Sequence, residues 1–292
     1  MQYFWTYTIW YILLGILTVC ELLFVFTKVK NRKFTLAFYF TVTGITLAAE
    51  VTLFFVFGAY NYYPKIILTS YYDDQLTGNL FSQFSLSATA LIIATFNLKF
   101  HWIVIFAATY GIIEELFLAL GIYSHNWYKT WYTVVGLILL FVLIKINYQK
   151  SLKGVKSLLH YLNIFFSLIT LDVITIVWGF MLSGYQYYSR DFGYNSVASP
   201  YLVGNIYSYF IAITLMLIYY FKLRIRFKSI VISLLYGLTY ILSYLKIIYF
   251  KSIGWFLIFS TIYIFGTYFS IVLMDYLYRS DRELESAADD KH

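Results

Sequence analysis

Charge, proline and cysteine are all scarce in this chain of 292 residues. Charged side chains make up 12% of it, about half of the roughly 25% that soluble domains carry. Such a chain has too few polar side chains to cover a water-exposed surface, so lipid has to cover most of it. Because Cys20 is the only cysteine, a disulfide or a cysteine-rich metal site within one chain is excluded. The two prolines and the absence of a long polar linker indicate one compact membrane domain.

Long apolar runs occupy most of the chain. Hydrophobic residues form 61% of it and aromatic residues 23%, including 32 Tyr, a residue that favours the lipid headgroup level. A membrane-spanning helix needs about 20 mostly apolar residues. Nine segments meet this requirement: 5–27, 34–58, 78–96, 102–122, 131–146, 158–182, 201–221, 229–249 and 253–274. The sequence therefore predicts an all-α, polytopic transmembrane bundle. The first run has no basic segment before it and is interpreted as a retained helix.

The basic residues predict the orientation of the nine spans. With the N-terminus outside, 16 of the 21 Lys and Arg residues fall in inner loops or in the C-terminal tail, where positive charge is expected. We therefore expect a multi-pass protein of the cell (plasma) membrane, with its N-terminus outside and its C-terminus in the cytoplasm. The net charge of +7 follows from these loops, so no nucleic-acid partner is predicted. Contact of the loops with anionic lipid is compatible with the same pattern.

Two stretches of the chain resemble each other at a nearly constant offset, which predicts an internal duplication. Segment 78–84 (GNLFSQF) reappears 126 residues later as 204–210 (GNIYSYF), and segment 60–63 matches 185–188 at an offset of 125. Tyr110-Gly111 also matches Tyr236-Gly237. Each copy holds four helices, so both copies enter the membrane from the same side, as parallel repeats. The predicted parts are an N-terminal helix with its basic loop (1–33), two four-helix repeats (34–157 and 158–274) and a frayed polar cytoplasmic tail (275–292).

Polar residues within the spans of the first copy are the main functional candidates, because an ionisable side chain inside a membrane is functional by default. With a rise of about 1.5 Å per residue, Glu50 lies about 15 Å and Glu114 about 13 Å below the outer ends of their spans. Asn79 and Gln83 enter from the outer end of the third span, and Tyr110 lies one turn from Glu114. These five residues predict an outward-open polar pocket that suits a cation, a proton or an amine. The alternative is that they only join helices, with protonated carboxyls.

Five further residues are secondary candidates: Asp73, Asp74, Glu115, His125 and Asp172. The first two are expected on the loop above the pocket. Glu115 points about 100° away from Glu114 around its helix. His125 belongs to an aromatic-rich outer loop, 123–131, which favours an interfacial anchor or, alternatively, a lid over the pocket.

The second copy does not repeat the two carboxylates of the pocket. Thr175 or Ile176 aligns with Glu50, and Tyr240 aligns with Glu114. Asp172 lies about one turn deeper than the counterpart of Glu50. A functional pocket would therefore mean that the two copies have specialised. Glu21 and His160 are expected near the cytoplasmic ends, where their side chains reach water, and both are interpreted as structural.

Catalytic motifs are missing from the sequence. Glu114-Glu115 resembles the Glu-Glu-x-x-x-Arg helix of intramembrane prenyl-protein proteases, but Ala119 stands at the position of the arginine. The chain has no Walker motif, no G-x-S-x-G and no H-E-x-x-H. Its four His residues are scattered over both membrane faces, which makes a poor metal cluster. No cofactor and no metal are therefore predicted.

Four short segments carry a family resemblance: 60–64 (YNYYP), 78–82 (GNLFS), 114–118 (EELFL) and 121–127 (GIYSHNW). Through them, residues 60–131 resemble a family of small polytopic membrane proteins of endospore-forming Firmicutes whose activity is not established. The resemblance implies a membrane location and a bacterial source. It implies no catalytic or binding residue.

Three functions are compatible with these features. The leading hypothesis is a non-enzymatic protein that binds or moves a small cation or amine through the pocket. The alternative is a scaffold or assembly subunit with membrane-protein partners, or with a second copy of this chain, in a sporulation or germination complex. The third is a membrane-embedded enzyme that modifies lipid. In each case the lipid bilayer is a partner of the chain.

Overall fold

The structure is a computed structural model that describes residues 3–153, 158–181, 183–189 and 199–289. Within these ranges, nine helices are long and apolar enough to cross a membrane. The prediction of an all-α, polytopic bundle with nine spans is therefore confirmed. By the length and composition of its helices, the chain is an integral membrane protein.

The first five helices occupy residues 9–152. A π-helical turn (Phe4–Thr8) continues into α1 (Ile9–Lys28), and α2 (Arg32–Glu50) ends in a second π-helical turn (Val51–Val56). The elements that follow are β1 (Tyr60–Tyr62), α3 (Tyr71–Thr95), α4 (Phe100–Ala119), β2 (Tyr123–His125) and α5 (Thr130–Leu152).

The rest of the chain has the same order of elements. A third π-helical turn (Ile174–Met181) follows α6 (Leu158–Val173). The remaining elements are β3 (Gln186–Tyr188), α7 (Ser199–Tyr220), α8 (Ile225–Tyr244), β4 (Ile248–Phe250) and α9 (Ile253–Asp289). We call residues 32–152 the first half and residues 158–289 the second half.

The two ends of the bundle differ in chemistry. All four strands lie at one end, which we call the strand end. The connections at the opposite end, the basic end, carry the clusters of Lys and Arg around residues 28–33, 145–153 and 222–228. Successive helices cross the bundle in opposite directions. Connections therefore lie alternately at one end and at the other, and the strands and the basic clusters occupy alternate connections.

Two short antiparallel ladders, which the sequence did not predict, lie across the strand end. In the first, Tyr60 is opposite His125 and Tyr62 is opposite Tyr123. The pairing gives hydrogen-bond partners to backbone groups that would otherwise be exposed where the helices end. Because side chains alternate along a strand, Tyr60 and Tyr62 point to the same side, and both are buried.

The second ladder corrects the alignment of the two halves. Tyr188 is opposite Ile248, just as Tyr62 is opposite Tyr123 in the first ladder. The ladders thus match Tyr62 with Tyr188, which are 126 residues apart. The sequence alignment had matched segment 60–63 with 185–188, at an offset of 125. The aromatic residues are so frequent here that neighbouring registers match almost equally well.

The central contact of the bundle joins α2 and α6. Thr41 Oγ1 lies 2.8 Å from Ser167 Oγ, and the two residues are 126 positions apart. Thr41 Oγ1 also lies 2.8 Å from the carbonyl oxygen of Asn163. In the reciprocal position, Ser167 Oγ lies 3.3 Å from the carbonyl oxygen of Ala37. Reciprocal contacts of this kind are the property of an interface on a two-fold axis.

A second pair of contacts has the same reciprocity. Thr170 Oγ1 donates to the carbonyl oxygen of Phe40 at 2.8 Å. At the position equivalent to Thr170, Gly44 packs so closely on the carbonyl group of Phe166 that a Cβ atom would overlap it. The main apolar core surrounds this contact. Among the glycines that the structure describes, Gly44 therefore lies closest to the backbone of another helix.

Two segments differ from their predicted positions. Asp73 and Asp74 lie in the first turn of α3 and not on a loop, because Ser70 caps the helix and accepts from the Asp73 backbone N–H at 3.4 Å. The predicted frayed tail is also corrected, since α9 continues to Asp289. Arg, Glu, Leu and Ala are frequent after residue 278, and these residues favour helix.

Candidate functional site

A cavity of about 280 Å³ lies in the first half, beneath the β1–β2 ladder and between α2, α3, α4 and α5. Four of the five predicted pocket residues line it: Glu50, Gln83, Tyr110 and Glu114. The fifth, Asn79, is buried and donates to Glu50. The structure thus brings together the five residues that the sequence singled out. The volume is close to the lower end of the roughly 300–1,000 Å³ of small-molecule sites.

Glu50 is surrounded by four hydrogen-bond donors. Tyr60 donates to its Oε2 at 2.7 Å and Tyr62 donates to its Oε1 at 3.2 Å. From α3, Asn79 Nδ2 donates to Oε1 at 2.5 Å and Gln83 Nε2 donates to Oε2 at 3.0 Å. Every one of these partners can donate a hydrogen bond, and both oxygens of the Glu50 carboxyl group accept. The side chain is 5% exposed.

Three elements position these donors around Glu50. Glu50 is the last residue of α2, immediately before the π-helical turn. Asn79 and Gln83 are four residues apart in α3 and therefore share one face of that helix. Tyr60 and Tyr62 are two residues apart in β1 and reach down from the ladder. The polar site therefore connects a helix end, a helix face and a strand.

The ladder tyrosines keep their protons. Burial raises the pKa of Tyr60 well above its usual value, and the neighbouring Glu50 raises it further. Burial and Glu50 raise the pKa of Tyr62 in the same way. Both hydroxyl groups therefore remain donors to Glu50 at every physiological pH.

Glu114 faces the same cavity from α4 with fewer partners. Its Oε1 lies 2.6 Å from Nε2 of His125 at the end of β2. Its side chain is 10% exposed, and it lines the cavity together with Thr133. The neighbouring Glu115 is exposed and hydrogen-bonds Thr130 of α5, so it points away from the cavity as predicted.

Tyrosine rings surround the carboxyl end of the cavity. Five tyrosines line the cavity: Tyr60, Tyr62, Tyr123 and Tyr128 near the ladder, and Tyr110 on α4. The ring centroid of Tyr60 lies 5.3 Å from the ring centroid of Tyr123 and 5.1 Å from that of Tyr128. Among the described residues that line the cavity, none is Lys or Arg. Aromatic rings and carboxyl groups together favour a positively charged group, and the basic side chain beside Glu114 is that of His125.

The ladder tyrosines were not among the predicted site residues. Their signal was the alternation Tyr60-Asn61-Tyr62, which places two rings on one side of a strand. The ladder also lies across the strand end of the cavity, where the sequence predicted an opening to the outside. His125 and Tyr123 belong to the covering ladder and Tyr128 lines the cavity.

A polar chain extends from the cavity toward the basic end. Tyr110 shares hydrogen bonds with Ser85 at 3.0 Å and with Thr89 at 2.9 Å. Thr89 in turn donates to Oε1 of Glu21 on α1 at 2.7 Å. Glu21, interpreted from the sequence as structural, is thereby connected to the cavity through two hydroxyl groups.

The other secondary candidates lie outside the cavity. Asp73 accepts from Tyr201 of α7 at 2.9 Å. Asp74 accepts from the backbone N–H groups of residues 65–67 at 2.6 to 2.9 Å and so fixes the loop between β1 and α3. Asp172 of α6 accepts from Tyr263 and Thr267 of α9. All three hold parts of the bundle together.

The helix ends also correct the counterpart of Glu114. α4 and α8 have the same length and begin 125 residues apart, which matches Glu114 with Thr239. Thr239 is buried and hydrogen-bonds Tyr207 at 2.8 Å, whereas Tyr240, the predicted counterpart, is exposed. A hydroxyl group thus stands in the second half where the first half has a carboxyl group.

Comparison of the chain with protein-family models, with curated proteins and with solved structures finds no match.

Proposed function

We propose that this membrane protein binds a small organic cation with an ammonium group in the cavity of its first half, and holds or moves it without catalysing a reaction. The observation that carries the proposal is the position of Glu114 beside four tyrosine rings, with no Lys or Arg among the described residues lining the cavity. A cation over aromatic faces gains about 0.5–2 kcal/mol. A carboxylate in a medium of low dielectric constant adds Coulomb attraction.

The two carboxyl groups of the cavity have different parts in this proposal. The four donors around Glu50 already occupy both of its oxygens, which supports a role in holding β1 against α2 and α3. Glu114, with His125 as its hydrogen-bond partner, is the carboxyl group that contacts the ligand. The alternative is a scaffold protein without a ligand. The hydrogen bonds of Glu50 to three elements of the bundle favour this alternative, in which Glu114 would contact only protein groups.

Orientation and origin are part of the same proposal. The strand end faces the outside and the basic end faces the cytoplasm of a bacterial cell, in its plasma membrane. The collection of Lys and Arg clusters at one end of the bundle supports this orientation. The family resemblance of residues 60–131 supports the bacterial source. We also infer a tandem duplication of four-helix units, which the reciprocal contacts of α2 and α6 support.

The test is the thermal unfolding of the purified chain in detergent, with tetramethylammonium, choline, Na⁺ or K⁺ added. We expect tetramethylammonium to raise the midpoint, Tm, by several degrees, because a ligand that binds only the folded state stabilises it. Glu114→Gln keeps the size of the side chain and removes its charge. It should weaken binding about tenfold or more, since about 1.4 kcal/mol of attraction corresponds to a factor of ten.

Glu115→Gln is the matched control. It makes the same chemical change one residue away, on an exposed side chain outside the cavity. It should bind tetramethylammonium as the unchanged chain does. Equal ligand-induced shifts in Glu114→Gln and Glu115→Gln, or no shift by any cation in the unchanged chain, contradict the proposal. The search would then turn to protein partners and to the scaffold alternative.

A further inference from the structure

The cavity reaches the lateral surface of the bundle. Two of its lining residues, Ala49 of α2 and Gly136 of α5, are exposed. A Cβ atom at Gly136 would meet no other atom within 4 Å. Small side chains on two helices that flank the cavity therefore leave an opening between them. We call this opening between α2 and α5 the window.

Contacts between α2 and α5 close the gap above and below the window. At the strand end, Trp127 Nε1, just before α5, donates to the carbonyl oxygen of Phe57 at 2.8 Å. Toward the basic end, the ring of Tyr148 on α5 packs 4.9 Å from the ring of Phe38 on α2. The window lies between these two contacts, about 9–11 Å along the helices from the strand-end limits of the two membrane spans, Val56 and Thr130. Its surroundings at that depth are the hydrocarbon chains of the bilayer.

The lining changes in character from the carboxyl groups to the window. Glu50, Glu114 and the tyrosines lie under the ladder, whereas Leu137 and Leu140 lie on α5, one of the two helices that frame the window. A ligand that fits both parts has a charged head and an apolar chain. The cavity thus matches an amphiphile better than a compact, fully hydrated ion.

The size of the cavity leads to the same class of ligand. A volume of about 280 Å³ holds about nine groups of the size of a water molecule. A trimethylammonium group takes about four of these places, which leaves room for about five carbons. A longer chain has to leave the cavity, and the window opens directly into hydrocarbon.

We propose, on the basis of the proposed function, that the ligand is an ammonium-bearing amphiphile dissolved in the membrane. Its head lies beside Glu114 and the ladder tyrosines, and its chain passes between Ala49 and Gly136 into the bilayer. The ladder covers the strand end of the cavity, so the ligand enters sideways from the lipid and not from water.

The first test is a series of alkyltrimethylammonium ions of increasing chain length, bound to the full chain in nanodiscs of phosphatidylglycerol, a lipid without an amine. Affinity is expressed per lipid, which removes simple partition into the membrane. We expect binding to persist far beyond about five carbons, because the chain continues through the window. A sharp loss of binding beyond about five carbons would overturn the proposal, since it is the result for a closed cavity.

The second test fills the window. Gly136→Trp should weaken binding of the long-chain ions about tenfold or more, because the indole takes the path of the chain. The loss should be much smaller for tetramethylammonium, which has no chain to pass through the window. The matched control is Gly237→Trp on α8, where an exposed glycine also has no other atom within 4 Å of a Cβ atom.

The two tests separate this inference from the proposed function. If the unchanged chain binds no tetramethylammonium, the proposed function fails and the inference fails with it. If tetramethylammonium binds with its dependence on Glu114, but Gly136→Trp and Gly237→Trp bind long chains equally, only the lateral path is wrong. Competition by added phosphatidylethanolamine would identify the source of the amine as a bilayer lipid, and its absence would identify a single-chain amphiphile.

Discussion

The two halves place the same elements around different interiors. Under the β1–β2 ladder lies the cavity of about 280 Å³, whereas the space under the β3–β4 ladder is about 10 Å³. That space is lined by Ile176, the counterpart of Glu50 at the ladder offset of 126, and by Tyr188 and Tyr207. The described residues under the second ladder leave much less space, so the shared elements alone do not determine the size of the cavity, and the side chains of the first half contribute to it.

The helix pairs beside the two ladders differ in the same way. In the second half α6 and α9 pack against each other, while their counterparts α2 and α5 make no comparable contact. Asp172 of α6 accepts from Tyr263 at 3.1 Å and from Thr267 at 3.2 Å, both on α9. At the equivalent position on α2, Thr46 instead hydrogen-bonds Ser87 of α3 at 3.1 Å. A carboxyl group joins the helix pair in one half and is missing from that position in the other.

The largest expected effect comes from the position where the two halves meet most closely. Gly44→Thr introduces the residue that its counterpart Thr170 already has, but it drives a Cβ atom into the carbonyl group of Phe166. The obstacle is a backbone carbonyl group, which cannot turn aside as a side chain can. The cost should therefore exceed the about 1–3 kcal/mol of ordinary overpacking, and we expect Tm in detergent to fall by about 10 °C or more, or folding to fail. Thr170→Gly should have a smaller effect, because it removes the hydrogen bond to Phe40 and a buried methyl group and adds the helix cost of glycine, but drives no atoms together.

The outcome is read by thermal unfolding and by size-exclusion chromatography. Gly237→Thr is the control, since a side chain there meets open space. A folded Gly44→Thr variant with an unchanged Tm would mean that α2 and α6 are not packed in this way, and the reciprocal axis would be lost with them.

An intermediate effect is expected at Asp172, the residue whose carboxyl group joins α6 to α9. Asp172→Ala leaves the hydroxyl groups of Tyr263 and Thr267 without their acceptor, at about 1–3 kcal/mol for each buried group. The midpoint of thermal unfolding should fall by about 5–10 °C. Asp172→Asn keeps one carbonyl acceptor, so its midpoint of thermal unfolding should lie between those of Asp172→Ala and the unchanged chain. If Asp172→Ala melts like the unchanged chain, the carboxyl group is not what holds α6 to α9.

The smallest expected effect compares one hydroxyl group from each ladder. Tyr60→Phe removes a donor to the carboxylate of Glu50, and a bond of this type contributes about 1.5–3 kcal/mol. Tyr188→Phe removes an acceptor of the uncharged Gln186 amide, a bond of about 0.5–1.5 kcal/mol. Differential scanning fluorimetry of both variants should show the larger loss for Tyr60→Phe. The reverse order would indicate that Glu50 is not held as a carboxylate.

The spans and the five pocket residues were predictable because their signals are local. Hydropathy over about 20 residues identifies a span, and spacing by three or four residues identifies a helix face, as for Asn79 and Gln83. Glu50 and Glu114 were found because carboxyl groups are rare in apolar runs. None of these signals depends on how the helices are arranged.

The ladders, the covered strand end and the register of the two halves depend on contacts between distant segments. A strand of three residues, such as Tyr60–Tyr62, is too short for a periodic pattern of about four to eight residues. The counterpart of Glu114 changed from Tyr240 to Thr239 because a shift of one residue turns a helix position by about 100°. Ser70 caps α3, and this cap marks Asp73 as a helical residue. The predicted third span began only at residue 78, because a span is recognised by its apolar residues and the polar first turns of α3 are not apolar.

The close α2–α6 contact also determines which parts of the molecule are free to move. A slide of one residue, about 1.5 Å along the axis, would push neighbouring side chains into carbonyl groups at Gly44 and Phe166. The two helices therefore behave as one rigid body to which the other elements are attached. The contact between α2 and α5 is much weaker than that between α2 and α6, so a motion that admits a ligand is expected to separate α5 from α2. Spin labels on α2 and α5 should then report a changing distance, while labels on α2 and α6 report a constant one.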